Sequence, residues 1–166
     1  MTTPSERDAP ETDDRDPAKI IPDAVQEVTR LAATWLAWDG IGRYGDGNVW
    51  TPHKALRRVN DHLLDHLAEI EAVLAGVPSI PDTWHGRTLT LDSDWARFTE
   101  ADLDEWSSRL NRFASLYRIR VGALSSAALD LPRPDSWTIR QIIHHVSNVV
   151  YYAHQLGDLT AGTVPV

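Results

Sequence analysis

Hydrophobic residues recur at helical spacing in four stretches of the chain, and polar or glycine- and proline-rich stretches separate them. No stretch alternates convincingly between apolar and polar residues, the pattern of a half-buried strand. We therefore predict an all-α fold, a four-helix bundle with a long crossover loop. The predicted helices span about residues 22–38, 52–75, 99–129 and 137–156.

Capping residues support the starts of the last three predicted helices. Thr51 and Thr99 are suitable N-caps, and either Asp135 or Ser136 would cap the last helix. The chain between the second and third helices, residues 77–98, predicts an irregular connection in which residues 87–91 form a short extended piece. The glycine-rich residues 40–47 lack the GxxxxGK[ST] pattern, so they do not predict a phosphate-binding loop.

Length and composition indicate one domain preceded by a tail. The chain has 166 residues, and residues 1–17 contain six acids, two Arg and no large apolar side chain except Met1. We predict a disordered acidic tail over 1–17 and a single four-helix-bundle domain over 18–160. The net charge of -8 argues against nucleic-acid binding. Without a long apolar run or a secretory signal, we expect a soluble, cytoplasmic protein with no membrane partner.

Histidine supplies the candidate chemistry, because the chain has seven His and no Cys. Any metal must then be held by His, Asp or Glu. His62 and His66 are four residues apart, so one helix can offer both imidazoles to one ion. On a helical wheel, His145 of the last helix flanks its apolar stripe on the matching side, whereas His144 points nearly opposite. The set His62, His66 and His145 is therefore the predicted metal site, with replacement of His145 by His144 or His154 left open.

Other residues beside this site have simpler interpretations. The acids Asp61, Asp65 and Glu69 fall on the solvent side of the wheel and are interpreted as surface charge. Arg57 and Arg58 are either a solvated pair or a means of attracting an anionic substrate. The remaining candidates are two tyrosines that border the site and four tryptophans that pack in the core or at a dimer interface: Tyr151 and Tyr152; Trp35, Trp38, Trp50 and Trp137.

Two helices share a Trp-Thr opening followed by apolar residues in the same phase. Trp50-Thr51 precedes the HxxxH helix, and Trp137-Thr138 precedes the last helix. Internal duplication and independent use of the same capping pattern both explain this match.

The residues that carry this chemistry resemble a known family. SWTIRQIIHHVSNVVYYAHQL and RRVNDHLLDHLAEIE resemble the tryptophan-led helix and the HxxxH helix of the DinB/YfiT-like proteins, over residues 136–158 and 50–75. The resemblance implies a four-helix bundle, usually a homodimer, in which His62, His66 and His145 hold one divalent ion. In the family the HxxxH helix follows the tryptophan-led helix, whereas in this chain it precedes that helix. Asn148 stands where related helices often carry an acid.

The resemblance also implies an activity. Some members transfer or isomerise small electrophilic substrates with a low-molecular-weight thiol such as mycothiol or bacillithiol. Three imidazole ligands leave coordination positions of the ion open to water or substrate. Zinc is the first expectation for the ion, and nickel or iron are the alternatives. High Arg, Ala and Asp usage is consistent with a GC-rich bacterium. The catalytic and thiol-binding residues stay unassigned.

Three other functions compete with this one. Position 63 is Leu, so HExxH is absent and a metalloprotease is rejected, and no GxSxG motif supports a metal-free hydrolase. The alternative that stays open is a non-catalytic bundle that dimerises or binds a small molecule and whose histidines are incidental.

Overall fold

Helices dominate the computed structural model, which describes residues 10–81, 88–134 and 136–161. The last predicted helix is observed as two helices joined by a 3₁₀ turn at Ser147–Val149, and further 3₁₀ turns lie at Trp35–Ala37 and Asp92–Trp95. The prediction of a mostly helical protein is confirmed. The helices are α1 (Pro17–Thr34), α2 (Pro52–Ala75), α3 (Glu100–Gly122), α4 (Ser126–Leu129), α5 (Ile139–Val146) and α6 (Val150–His154).

Side-chain caps explain where the helices begin. Asp16 accepts a hydrogen bond from the Ala18 amide at 3.0 Å, so α1 begins at Pro17 rather than at Pro22. Thr138 caps α5 and forms a capping box with Gln141, so this helix begins at Ile139 rather than at Trp137. The predicted cap Ser136 is thus wrong, and Asp135 lies outside the described residues, as do residues 1–9 of the predicted tail.

The third predicted helix is wrong at its C-terminal end. It does not continue to Leu129, because α3 ends at Gly122 and the chain turns before a new cap. The Ser125 hydroxyl accepts a hydrogen bond from the Ala128 amide at 3.2 Å and starts the short helix α4.

A small β-hairpin replaces the loop predicted at the glycine-rich residues. Strand β1 (Arg43–Gly45) pairs antiparallel with β2 (Asn48–Trp50). The turn residues Asp46 and Gly47 have φ values of 50° and 70°, the left-handed geometry of a tight hairpin turn. The predicted extended piece is not observed as a strand in its described part, residues 88–91.

The core lies where α1, α2, α3 and the α5–α6 pair meet. Trp35 and Trp50 are fully buried in it, and the Trp35 indole donates to the Gly157 carbonyl at 2.9 Å. The Tyr117 hydroxyl of α3 donates to the Leu63 carbonyl of α2 at 2.8 Å, and burial raises the pKa of this hydroxyl. Both α5 and α6 pack on α2, which brings the last helical segment beside the HxxxH residues.

The Trp-Thr openings have the same structural role in both helices. Thr51 accepts a hydrogen bond from the Lys54 amide, and Thr138 accepts one from the Gln141 amide. Each Thr is therefore the N-cap of its helix, as the capping explanation requires. Internal duplication stays a prediction.

Candidate metal centre

Three histidines from two distant parts of the chain lie together on the inner side of α2 and α5. The ring centroids of His62 and His66 are 4.6 Å apart, and each is 4.9 Å from the His145 ring. One ligand nitrogen from each residue lies within 4.8 Å of the other two. The three histidines are therefore close enough to bind one metal ion.

Local sequence accounts for this convergence. His62 and His66 follow each other by one turn on α2, while Leu63 between them is fully buried in the core. His145 follows the buried residues Ile142 and Ile143 on α5. Because the apolar sides of both helices face the same core, the flanking imidazoles meet at its edge, half-buried.

A carboxylate orients one of the imidazoles. Nδ1 of His66 lies 2.8 Å from Oε2 of Glu69, and the side chains are 12% and 23% exposed. Since a carboxylate only accepts hydrogen bonds, Nδ1 carries the hydrogen and Nε2 keeps its lone pair for an ion. The interpretation of Glu69 as surface charge is therefore wrong: this acid is a partner of the site, whereas Asn148 is exposed.

The protonation state of His62 suits a ligand. Burial, followed by electrostatic repulsion from the neighbouring His66, His145 and Arg58, lowers the pKa of His62 from 6.5 to about 2. The imidazole is therefore neutral throughout the physiological pH range, as coordination requires.

Aromatic side chains border the cluster on two sides. The Trp137 ring lies 4.8 Å from the His145 ring, and the Tyr152 ring lies 5.9 Å from the His62 ring. Trp137 is thus packed against a candidate ligand as well as against the core. Tyr151 lies further out, where its hydroxyl donates to Asp46 of the hairpin at 2.7 Å.

The other described histidines stand apart from this cluster. His144 is 5% exposed and its Nδ1 lies 3.9 Å from Asp13, whereas the side chain of His154 is 58% exposed and lies 3.9 Å from Glu27. His53 packs edge-on against Phe98. Within the described ranges, the histidine cluster therefore contains His145 and neither His144 nor His154. His85 lies outside these ranges.

The charged residues before the cluster are not a solvated face. Arg57 makes an ion pair of 2.6 Å with Asp94, and Arg58 is only 7% exposed. Asp61 is 8% exposed, so its interpretation as surface charge is wrong, and Asp65 is half-buried. The helical wheel failed here because α2 packs against α3, α5, α6 and the Asp92–Trp95 turn, which together cover more than its apolar stripe.

The donor set fits a borderline divalent ion. Three neutral imidazoles suit zinc, nickel or iron, and a tetrahedral ion places such nitrogens roughly 3.4 Å apart. Small side-chain rotations bring nitrogens within 4.8 Å to that separation. Three protein ligands leave a further position for water or substrate.

Replacing Glu69 tests the orienting contact. We expect Glu69→Gln to weaken zinc binding by about 10- to 100-fold. The amide of Gln holds the His66 ring less firmly than the carboxylate does, and it leaves the imidazole less basic. A competition titration with a chromophoric chelator measures this change. Glu71→Gln is the matched control, since Glu71 pairs with Arg120 of α3 and should leave the affinity unchanged. Equal affinities for the two variants would contradict the role given to Glu69.

Among the described residues, no helix combines the length and the apolar character that crossing a membrane requires. Comparison with protein-family models, curated proteins and solved structures found no significant match.

Proposed function

We propose that this protein is a DinB-like metal-binding four-helix bundle whose site is formed by His62, His66 and His145. The observation that carries the proposal is the convergence of these three imidazoles within 4.8 Å. It is supported by the carboxylate on His66 and by the burial that keeps His62 neutral. Incidental surface histidines require neither feature.

The proposed activity is that of a transferase or isomerase acting with a low-molecular-weight thiol on a small electrophilic substrate. His62, His66 and His145 would hold a divalent ion, zinc in the first instance, which would supply Lewis acidity and lower the pKa of a thiol or water at the site. The chain has no Cys, so the thiol comes from the cosubstrate. A cytoplasmic homodimer is proposed with this function.

Residues of the chain itself shape this site. Trp137 and Tyr152 cover two sides of the cluster and reduce the access of water to it. The Tyr152 hydroxyl accepts a hydrogen bond from Nη2 of Arg58 at 3.3 Å. The hydrogen of this hydroxyl therefore points away from the guanidinium. That hydrogen can be donated to a bound ligand.

Metal binding by a His145→Ala variant tests the proposal. We expect one zinc ion per wild-type chain and an affinity at least about 100-fold lower in the variant, since a lost ligand costs more than a lost orienting partner. Protein purified without a polyhistidine tag would be measured by elemental analysis and chelator competition. His154→Ala is the control, because that exposed side chain stands outside the cluster.

The same measurement separates the metal site from a non-catalytic bundle. A wild-type protein without stoichiometric metal, or a His145→Ala variant with wild-type affinity, would contradict the ligand set. Loss of zinc only from the His145 variant would then justify assaying thiol transfer with electrophilic substrates.

A further inference from the structure

Arg58 is a buried charge whose hydrogen-bonding groups are mostly unused. Its side chain is 9% exposed. Nη2 donates to the Tyr152 hydroxyl at 3.3 Å, but within the described ranges the buried Nε and Nη1 have no hydrogen-bond partner. A buried guanidinium is costly unless its N–H groups find acceptors. The unused N–H groups of Arg58 are therefore open to acceptors from outside these ranges.

The neighbouring arginine shows what full pairing looks like on the same helix. Arg57 donates to both carboxylate oxygens of Asp94, at 3.2 and 2.6 Å, and to the Leu89 carbonyl at 3.1 Å. Its charge and its donors are thus satisfied within the fold. Arg58, one residue later, lacks an equivalent partner among the described residues.

Among the described residues, the Asp61 carboxylate pairs with Arg58 and balances its charge only in part. Oδ2 of Asp61 lies 3.6 Å from Nη1, which is beyond hydrogen-bond distance. At that separation the pair lacks the hydrogen bond that would offset the desolvation of its two charges. Lys54 adds another buried positive charge, and its Nζ donates to the neutral Thr90 hydroxyl at 2.9 Å.

Arg58 also lies next to the candidate metal centre. It precedes His62 by one helical turn, so both side chains extend from the same side of α2. The guanidinium carbon lies 5.2 Å from the centre of the Tyr152 ring, and the His62 ring lies 5.9 Å from the same centre. The Tyr152 ring thus packs against both Arg58 and the histidine cluster.

We propose that Arg58 binds a carboxylate of the ligand that occupies the metal centre, so that the site selects small carboxylic acids over neutral analogues. The inference rests on the function proposed above and specifies its substrate class. A carboxylate supplies acceptors to the unused N–H groups and balances the charge at Arg58. The Tyr152 hydroxyl, already bonded to Arg58, is placed to donate to the same ligand.

Two pairs of probes test the preference and identify which reactant carries the carboxylate. In the thiol pair, 3-mercaptopropionate is compared with 3-mercapto-1-propanol; in the thiol-free pair, succinate is compared with succinamide. Isothermal titration calorimetry would be performed on zinc-loaded and metal-free wild-type protein, Arg58→Gln, Arg58→Lys and Arg57→Gln. Zinc content is measured separately for each protein.

We expect wild-type protein to bind the carboxylate of at least one pair tenfold or more tightly than its neutral analogue. Arg58→Gln should lose this preference, Arg58→Lys should keep part of it, and Arg57→Gln should retain it. A preference confined to the thiol pair assigns the carboxylate to the thiol cosubstrate, and one confined to the succinate pair assigns it to the electrophile. Either result supports the inference.

Other outcomes separate this inference from the proposed function. Normal zinc binding with no carboxylate preference in wild-type protein would overturn the role of Arg58 and leave the metal centre intact. That comparison needs no variant, so it holds even if Arg58→Gln fails to fold. A preference that depends on Arg58 in protein without zinc affinity would support the anion site and reject the metal centre. A preference that survives in folded Arg58→Gln would also overturn the inference.

Discussion

The double variant His62→Ala/His66→Ala is expected to lose all of the stabilisation that zinc gives the wild-type protein. The ligands come from α2 and α5, which meet only when the chain is folded, so an ion bound there favours the folded state. At a free zinc concentration 100 times the dissociation constant, the gain in unfolding free energy is about 2.7 kcal/mol. The variant keeps one imidazole of the three, too few to hold the ion.

Urea unfolding with and without zinc measures this gain within each protein. Any change in intrinsic stability caused by the two substitutions cancels in the difference. His154→Ala should show the wild-type gain, because its side chain is exposed and lies outside the cluster. An equal gain in the double variant would mean that zinc binds elsewhere and would reject the proposed site.

Metal-free protein should become less stable as the pH falls from 7 to 5, with His62 a main contributor. Its pKa is about 2 in the folded chain against 6.5 as the ordinary value. Between these values the unfolded chain binds a proton that the folded chain does not, so stability decreases as the pH decreases. For His62 alone, the free energy of unfolding falls by about 2 kcal/mol between pH 7 and 5. Burial lowers the pKa of His144 as well, which adds a loss of the same sign.

Replacing His62 by Gln isolates the contribution of His62 to this pH dependence of stability. The amide does not titrate in this range. The free energy of unfolding of His62→Gln should therefore fall by about 2 kcal/mol less than that of the wild type between pH 7 and 5. Unfolding in urea at both pH values, with a chelator present, provides the comparison. His154→Gln should follow the wild-type pH dependence, and a His62→Gln profile identical to the wild type would show that His62 is not held neutral by the fold.

Much of the helical structure was predictable because its signals are local. The Thr51 and Thr99 caps and the apolar periodicity located α2 and the start of α3. Errors arose where a local signal was overlooked, as with the Asp16 cap of α1, or where the element was very short. The three-residue strands of the hairpin contain too few positions to show an alternating pattern.

The candidate site was predictable in its histidines and not in its partners. Spacing alone relates His62 to His66, and the helical wheel placed His145 on the matching flank. The orienting role of Glu69 and the burial of Arg58 were missed, because a wheel built on one apolar stripe assigns charged residues to solvent. The HxxE spacing between His66 and Glu69 was a usable signal for a carboxylate one turn away.

The sequence by itself determined that the chain is mostly helical, that no thiolate of its own is available, and that two imidazoles lie one turn apart on α2. These properties depend on composition and on contacts between residues close in the chain. Only the tertiary structure decided that His145 meets this pair and that Arg58 is buried beside Tyr152 with unused donors. Those properties depend on how α2 packs against α5 and α6, and contacts between distant segments are not encoded in local spacing.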